Sequence, residues 1–285
     1  MKVKSYTFLL VAAFMLLGAG CGSGMEDIKD PEGYSLVWND EFDTENTLSE
    51  SEWRFETGKT GWGNNELQNY VAGLGEDAAA LVEGGILKIT AKKRKGEVIS
   101  ARINTKKSWL YGYFKARLKL PRGKGTWPAF WMLPEDFVTS PDDGEIDIME
   151  AVGYEPGWVH TGVHTKNYTG ETVKNERKNI PTAQSDFHVY AVEWTPDFIK
   201  GYVDDELFFE FLNDYAGNKD TWPFNKPFYL KLNLAWGGKW GGLEGTDESC
   251  LPALYEIDYV RVYQIEPKLA AHRGGSSVPV SLQNP

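Results

Sequence analysis

The chain has 285 residues, is 41% hydrophobic and carries a formal net charge of −11. That length suffices for one sizeable core, and the acidic balance argues against nucleic acid or an anionic membrane surface as a partner. With 11 Trp, 14 Tyr and 14 Phe, the aromatic content reads equally as a large core or as a surface that stacks on flat, uncharged ligands such as sugar rings.

The first element in chain order is a targeting segment. Lys2 and Lys4 precede an apolar run from Tyr6 to Leu17, too short to span a bilayer comfortably as a helix. Gly18, Ala19 and Gly20 then precede Cys21. This resembles a bacterial lipoprotein site, in which the cysteine becomes the lipidated first residue, although Gly18 stands where Leu is usual. Ordinary signal cleavage near Ala19 or Gly20 is the alternative. Residues 1–21 are therefore expected to direct export. The destination is a bacterial cell surface or outer membrane, or else the periplasm or medium, with membrane contact only through the lipid. Residues 22–33, GSGMEDIKDPEG, read as a tether. Cys250 is the only other cysteine, so neither an internal disulfide nor a structural zinc site is expected. Nothing demands more than a monomer.

From residue 34 to residue 264 the dominant period is two. Ile86 and Lys88 share one face and Leu87 and Ile89 the other. Phe114, Ala116, Leu118 and Leu120 alternate with Lys115, Arg117 and Lys119. Leu230, Leu232 and Leu234 share one face, opposite Lys231, Asn233 and Ala235. Ile257 and Tyr259 oppose Asp258 and Val260. These are strands, and KGYVDDELFFEF reads as a hairpin turning near Asp204 and Asp205. No long segment has a 3.6-residue period. The expected fold is all-β, a jelly-roll sandwich of two antiparallel sheets. Residues 265–285 lose the periodicity and read as a disordered tail.

One strand breaks its own rule. Gly144 to Glu150 reads GEIDIME. Glu145 and Asp147 share a face, and Ile146 and Ile148 point the other way. A regular strand would then send Glu150 into the core, where an unpaired carboxylate is costly. A β-bulge between Asp147 and Glu150 returns the third acid to the first two. Three aligned carboxylates fit a solvated acidic face, a hard-cation site or a glycosidase acid pair.

The segment resembles the active-site strand of glycoside hydrolase family 16 in its E-I-D-I-x-E form, and within that family the laminarinase-type endo-β-1,3-glucanases. The resemblance runs from about Val37 to Gln264. It is carried in order by VWNDEFD (37–43), GWGNNELQNY (61–70), SARI (100–103), YGYFKARLKLPRGKGTWPAFWMLP (111–134), HVYAVEWTPDFIKGYVDD (188–205) and YEIDYVRVYQ (255–264). It implies a concave substrate cleft on the jelly roll, with Glu145 as nucleophile, Glu150 as general acid/base, and Asp147 orienting Glu145 and tuning its charge. Lichenase and xyloglucan-active branches read E-x-D-x-E without the extra residue.

By the same resemblance, Trp127 and Trp131 become sugar-stacking platforms. Asn65, Glu66, Arg102, His164 and Trp236 become substrate contacts, with Trp240 held less firmly and His160 structural. A structural calcium ion is implied at Glu41, the Gly85 carbonyl and Asp258, and no cofactor takes part in catalysis. The activity implied is retaining endo-hydrolysis of β-1,3-glucan, extending to mixed β-1,3/1,4-glucan. The alternatives are a family 16 galactanase of agarase or carrageenase type, and a non-hydrolytic glucan-binding protein. The acidic balance disfavours the former, and the presence of Glu145 and Glu150 disfavours the latter.

Overall fold

The computed structural model describes residues 29–73 and 77–265. The signal segment, Cys21, residues 22–28 of the tether and the tail from residue 266 lie outside the described residues. Among the described residues there are seventeen strands, numbered in chain order.

The cleft-forming sheet has seven strands. Its order is β12 (Lys174–Asn179), β11 (Trp158–His164), β10 (Glu145–Glu150), β9 (Thr126–Pro134), β16 (Phe228–Trp236), β7 (Arg102–Thr105) and β2 (Trp53–Phe55). The second sheet runs β15 (Glu206–Leu212), β14 (Phe198–Val203), β13 (His188–Trp194), β8 (Gly112–Lys119), β17 (Ala253–Ile265), β5 (Ile86–Arg94), β6 (Glu97–Ser100) and β3 (Asn69–Tyr70). β1 (Tyr34–Asp40) adds to β17, and β4 (Ala80–Glu83) adds to β5. Every strand pair is antiparallel except β3 with β6.

Alternation decides what each strand buries. Leu230, Leu232, Leu234 and Trp236 of β16 join Phe130 and Met132 of β9 in one core. Phe114, Ala116 and Leu118 of β8 and Val260 and Val262 of β17 belong to the same cluster, contributed by the other sheet. The jelly-roll sandwich expected from the period of two is therefore the fold observed. Asp204 and Asp205 both take positive φ, 50° and 64°, as the two-residue hairpin between β14 and β15 demands. The end of the expected tether packs on the domain, since the Tyr263 hydroxyl donates to Asp30 Oδ1 at 2.5 Å.

Candidate active site

The seven-stranded sheet turns its other face to a cleft of about 740 Å³. Strand register arranges the floor in three rows, with neighbouring strands about 4.8 Å apart. The first row holds the His164–Glu145 pair, with Leu133 and Tyr229 paired along the same line. The second runs Gly162, Asp147, Trp131, Lys231, Asn104. The third runs His160, Glu150, Ala129, Asn233, Arg102.

The bulge lies where the broken alternation requires it. Asp147 pairs with Gly162 and Glu150 with His160, so β10 spends one residue more than β11. Against β9 the same slip falls between Asp147 and Met149. Ile148 and Met149 are consecutive and both 0% exposed, which a regular pleat cannot achieve. Glu150 thereby rejoins Glu145 and Asp147 in the cleft lining. The Ile148 carbonyl accepts from Thr161 Oγ1 at 2.7 Å, which fixes the bulged backbone.

The three acids sit low in the floor, and Asp147 is buried. Burial, then the charge of Asp147, pushes Glu145 up to about 8, against His164, Arg102 and Lys231. Burial raises Asp147 too, opposed by its hydrogen bond with Glu145. Glu150 is raised by burial and by Asp147 and Glu145, opposed by His164 and by Trp127. Trp127 Nε1 donates to Glu150 Oε1 at 2.9 Å. Such a cluster holds a proton at neutral pH because its members cannot all ionise together. One group can then give a proton while another stays ionised. His164 Nε2 stands 3.1 Å from Asp147 Oδ2. Glu145, Asp147 and His164 offer ligand atoms within 4.8 Å of one another, and Asp147 Oδ2 is buried among them without a hydrogen-bond partner.

Glu66, Arg102, Trp127, Trp131 and His164 line the cleft. Glu66 accepts from Gln68 Nε2 at 2.6 Å and from the Tyr70 hydroxyl at 3.1 Å. Arg102 lies over the rings of Trp62 and Trp131, at 4.7 and 4.9 Å from their centroids.

Two expected substrate contacts are corrected. Trp236 is 2% exposed and belongs to the core. It continues the parity of Leu230, Leu232 and Leu234, and that face of β16 looks inward. Asn65 is exposed and does not line the cleft. It takes φ of 56° in the turn closed by Glu66 N–H to the Gly61 carbonyl, a conformation that Asn tolerates. Asn64 lines the cleft in its place.

The cleft reverses two expectations, since Trp240, held less firmly than Trp236, faces it, and so does His160, expected to be structural. The two rings pack edge to face, with centroids 5.0 Å apart. Trp240 also meets Trp127 at 5.5 Å. Glu56, Trp62 and Asn233 complete the opposite side. Parity on β16 could have found Asn233, but nothing local marks Glu56. Trp240→Ala is expected to raise KM for glucan about tenfold, with Tm shifted by only about 1–2 °C, because a half-buried cleft aromatic is lost. Trp236→Ala empties the core and costs about 3–5 kcal/mol. Paired kinetics and thermal unfolding separate the two.

The implied calcium residues meet along one seam. Asp40 pairs with Val260 just before Glu41, and Leu87 pairs with Ile257 just before Asp258. Their side chains do not fit an ion as placed. Glu41 is held through both oxygens by Arg261, at 2.8 and 2.9 Å. Asp258 accepts from Arg117 at 2.6 Å. Each carboxylate already has a guanidinium to balance its charge.

Residues 67–261 match the family described as Glycosyl hydrolases family 16. The chain is 45% identical over 283 residues to a beta-glucanase of Rhodothermus marinus, covering 93% of this chain and 97% of that protein. Its fold is similar to the solved laminarinase of Rhodothermus marinus, with TM-score 0.77 and 45% identity over 81% of this chain and 97% of that one. It is also similar to SCLam, described as a non-specific endo-beta-1,3(4)-glucanase, with TM-score 0.78 and 41% identity over 85% and 95% of the two chains.

Proposed function

The chain belongs to glycosyl hydrolase family 16, and from that premise we propose that it is a retaining endo-β-1,3-glucanase of laminarinase type that also cuts mixed β-1,3/1,4-glucan. The observation that carries the reading is the bulged β10, which brings Glu145, Asp147 and Glu150 together in the cleft floor. In the first step Glu145 attacks the anomeric carbon while Glu150 gives its proton to the departing glycosidic oxygen. In the second, Glu150 takes a proton from water, the water attacks the same carbon, and Glu145 leaves. Trp127, through its hydrogen bond to Glu150 Oε1, holds the acid in place and offers its ring to the substrate. The negative charge of Asp147 keeps the neighbouring proton on the cluster. Two carboxylates and water complete the reaction, so no cofactor is required. Calcium has no part in the proposal, because Arg261 and Arg117 occupy the carboxylates that would hold it.

Reducing-end release tests the reading, with laminarin, mixed-linkage glucan, agarose and carrageenan as substrates. Cleavage of the first two alone is expected. Cleavage of a galactan alone would transfer the protein to the galactanase branch, and laminarin binding without cleavage would make it a recognition protein.

The pH dependence follows from the shifts. Activity needs Glu145 ionised and Glu150 protonated, and both are raised. The rate therefore falls on the acid side as Glu145 takes a proton, and on the alkaline side as Glu150 loses one. The acid limb is expected well above the ordinary Glu value of about 4.3. Asp147→Asn removes a negative charge beside both groups, so both limbs move to lower pH. A profile of kcat/KM from about pH 4 to about pH 10 reads this directly. Limbs that stay put in the variant would remove Asp147 from this role.

The localisation proposed is an exported one, with Cys21 lipidated and the catalytic domain held at a bacterial surface. Labelling with a tagged fatty acid should be lost in Cys21→Ala. Label retained in that variant would refute the anchor.

A further inference from the structure

Lys231 is 0% exposed, and the acids feel it only as a charge that favours ionised Glu145. A lysine is almost never fully buried without a partner. A buried ion pair, moreover, is commonly no more stable than apolar side chains of the same volume. Its charge therefore calls for a reason other than folding. Register sets Lys231 on β16 directly beside Trp131 on β9, with Asp147 on the far side of Trp131. Nζ lies 2.9 Å from Glu56 Oε2, the oxygen that also accepts from Arg102 Nε. One carboxylate thus gathers two cations. Both lie over the same ring: Lys231 Nζ stands 5.1 Å and Arg102 Cζ 4.9 Å from the Trp131 centroid. The ring edge is fixed as well, since Trp131 Nε1 donates to Asn233 Oδ1 at 2.7 Å.

We propose that Lys231 is a positioning residue: its charge, anchored by Glu56 and acting with Arg102, clamps the Trp131 ring at the angle in which it stacks on a sugar. This rests on the reading that the cleft binds β-glucan. Lys231 touches no reacting atom in this arrangement, so the clamp acts on binding, apart from the charge it presents to Glu145 across Trp131. An apolar side chain of similar volume fills its space but leaves the ring with one cation.

The clamp is sensitive to pH. Burial and the neighbouring Arg102 push Lys231 down to about 7, against the pull of Glu56. Against its own burial, Glu56 is held down at about 2 by Lys231 and Arg102. The charged and titratable groups around Lys231 are Arg54 on β2, Glu56 immediately after that strand, Arg102 on β7, Tyr229 on its own strand, and Glu145 and Asp147 across Trp131. As pH rises through neutrality, Lys231 loses its charge while Arg102 and Glu56 keep theirs. The ring is then held by one cation, and glucan binding weakens.

The test measures kcat and KM for laminarin at about pH 6 and about pH 8.5, on either side of the Lys231 transition, in wild type, Lys231→Met and Lys231→Arg. At the lower pH, Lys231→Met is expected to raise KM about tenfold, the size of a desolvated cation–π contact, with kcat within about threefold. Wild-type KM should climb toward the Met value at the higher pH, and the Met variant should not respond. Lys231→Arg carries a permanent charge and should keep KM low at both. A Met variant with wild-type KM, or one that loses only kcat, overturns the clamp. If a variant fails to fold, the wild-type profile still decides, because a KM that does not change with pH overturns it too. Failure of the glucanase reading shows separately, as a wild type that releases no reducing ends from laminarin. The clamp is then read from retardation of wild type and Lys231→Met in laminarin-containing native gels, where equal retardation refutes it.

Discussion

Glu145→Ser is expected to lower kcat on laminarin by at least about 10⁴-fold. Serine at this position is too short to reach the anomeric carbon that the Glu145 carboxylate attacks. The fold should survive the change. Ile146, Ile148 and Met149 are each 0% exposed and keep β10 on the core, and the lost group is a carboxyl that burial and Asp147 already disfavour as an anion. Tm should therefore hold or rise, and the variant should still be retarded in laminarin gels. Measuring kcat, Tm and gel retardation together separates chemistry from folding and binding. A loss of less than about 100-fold would take the nucleophile role away from Glu145.

Glu150→Gln should lower kcat on laminarin about 10³-fold, within the range for general acid–base catalysis. The amide oxygen can still accept the Trp127 Nε1 hydrogen bond, so the shape of the site is kept and only the proton is removed. The loss must depend on the leaving group. An aryl β-glucoside oligomer whose phenol leaves without a proton should form the glycosyl enzyme almost as fast as with wild type. Water attack still lacks its base, so the phenol should appear in a burst followed by a slow steady state. Azide, a nucleophile that needs no base, should restore turnover on that substrate. Equal loss on both substrates, with no burst, would remove Glu150 from the acid/base role.

Parity is the part of this protein most legible in its sequence. Hydrophobic alternation in β8, β16 and β17 gives the two-sheet sandwich, because side chains on a strand must take opposite faces. The break in GEIDIME gives the bulge, because a regular strand would have buried Glu150. The same rule, carried two residues beyond Leu234, would also have placed Trp236 in the core. There the resemblance suggested a cleft contact, and strand geometry overruled it.

What the sequence by itself determined is local: which residues form strands, which face each strand buries, and that three acids meet on one of them. Only the tertiary structure decided what comes together from distant strands. Glu56, Arg102 and Lys231 are far apart in the chain and share one carboxylate oxygen. His160 and Trp240 meet across a loop that no periodicity describes. Glu41 and Asp258 find arginines where an ion had been implied. The physical reason is common to all three. A strand fixes the direction of its own side chains, whereas the choice of partner for a charge or a ring depends on which strands the fold sets side by side.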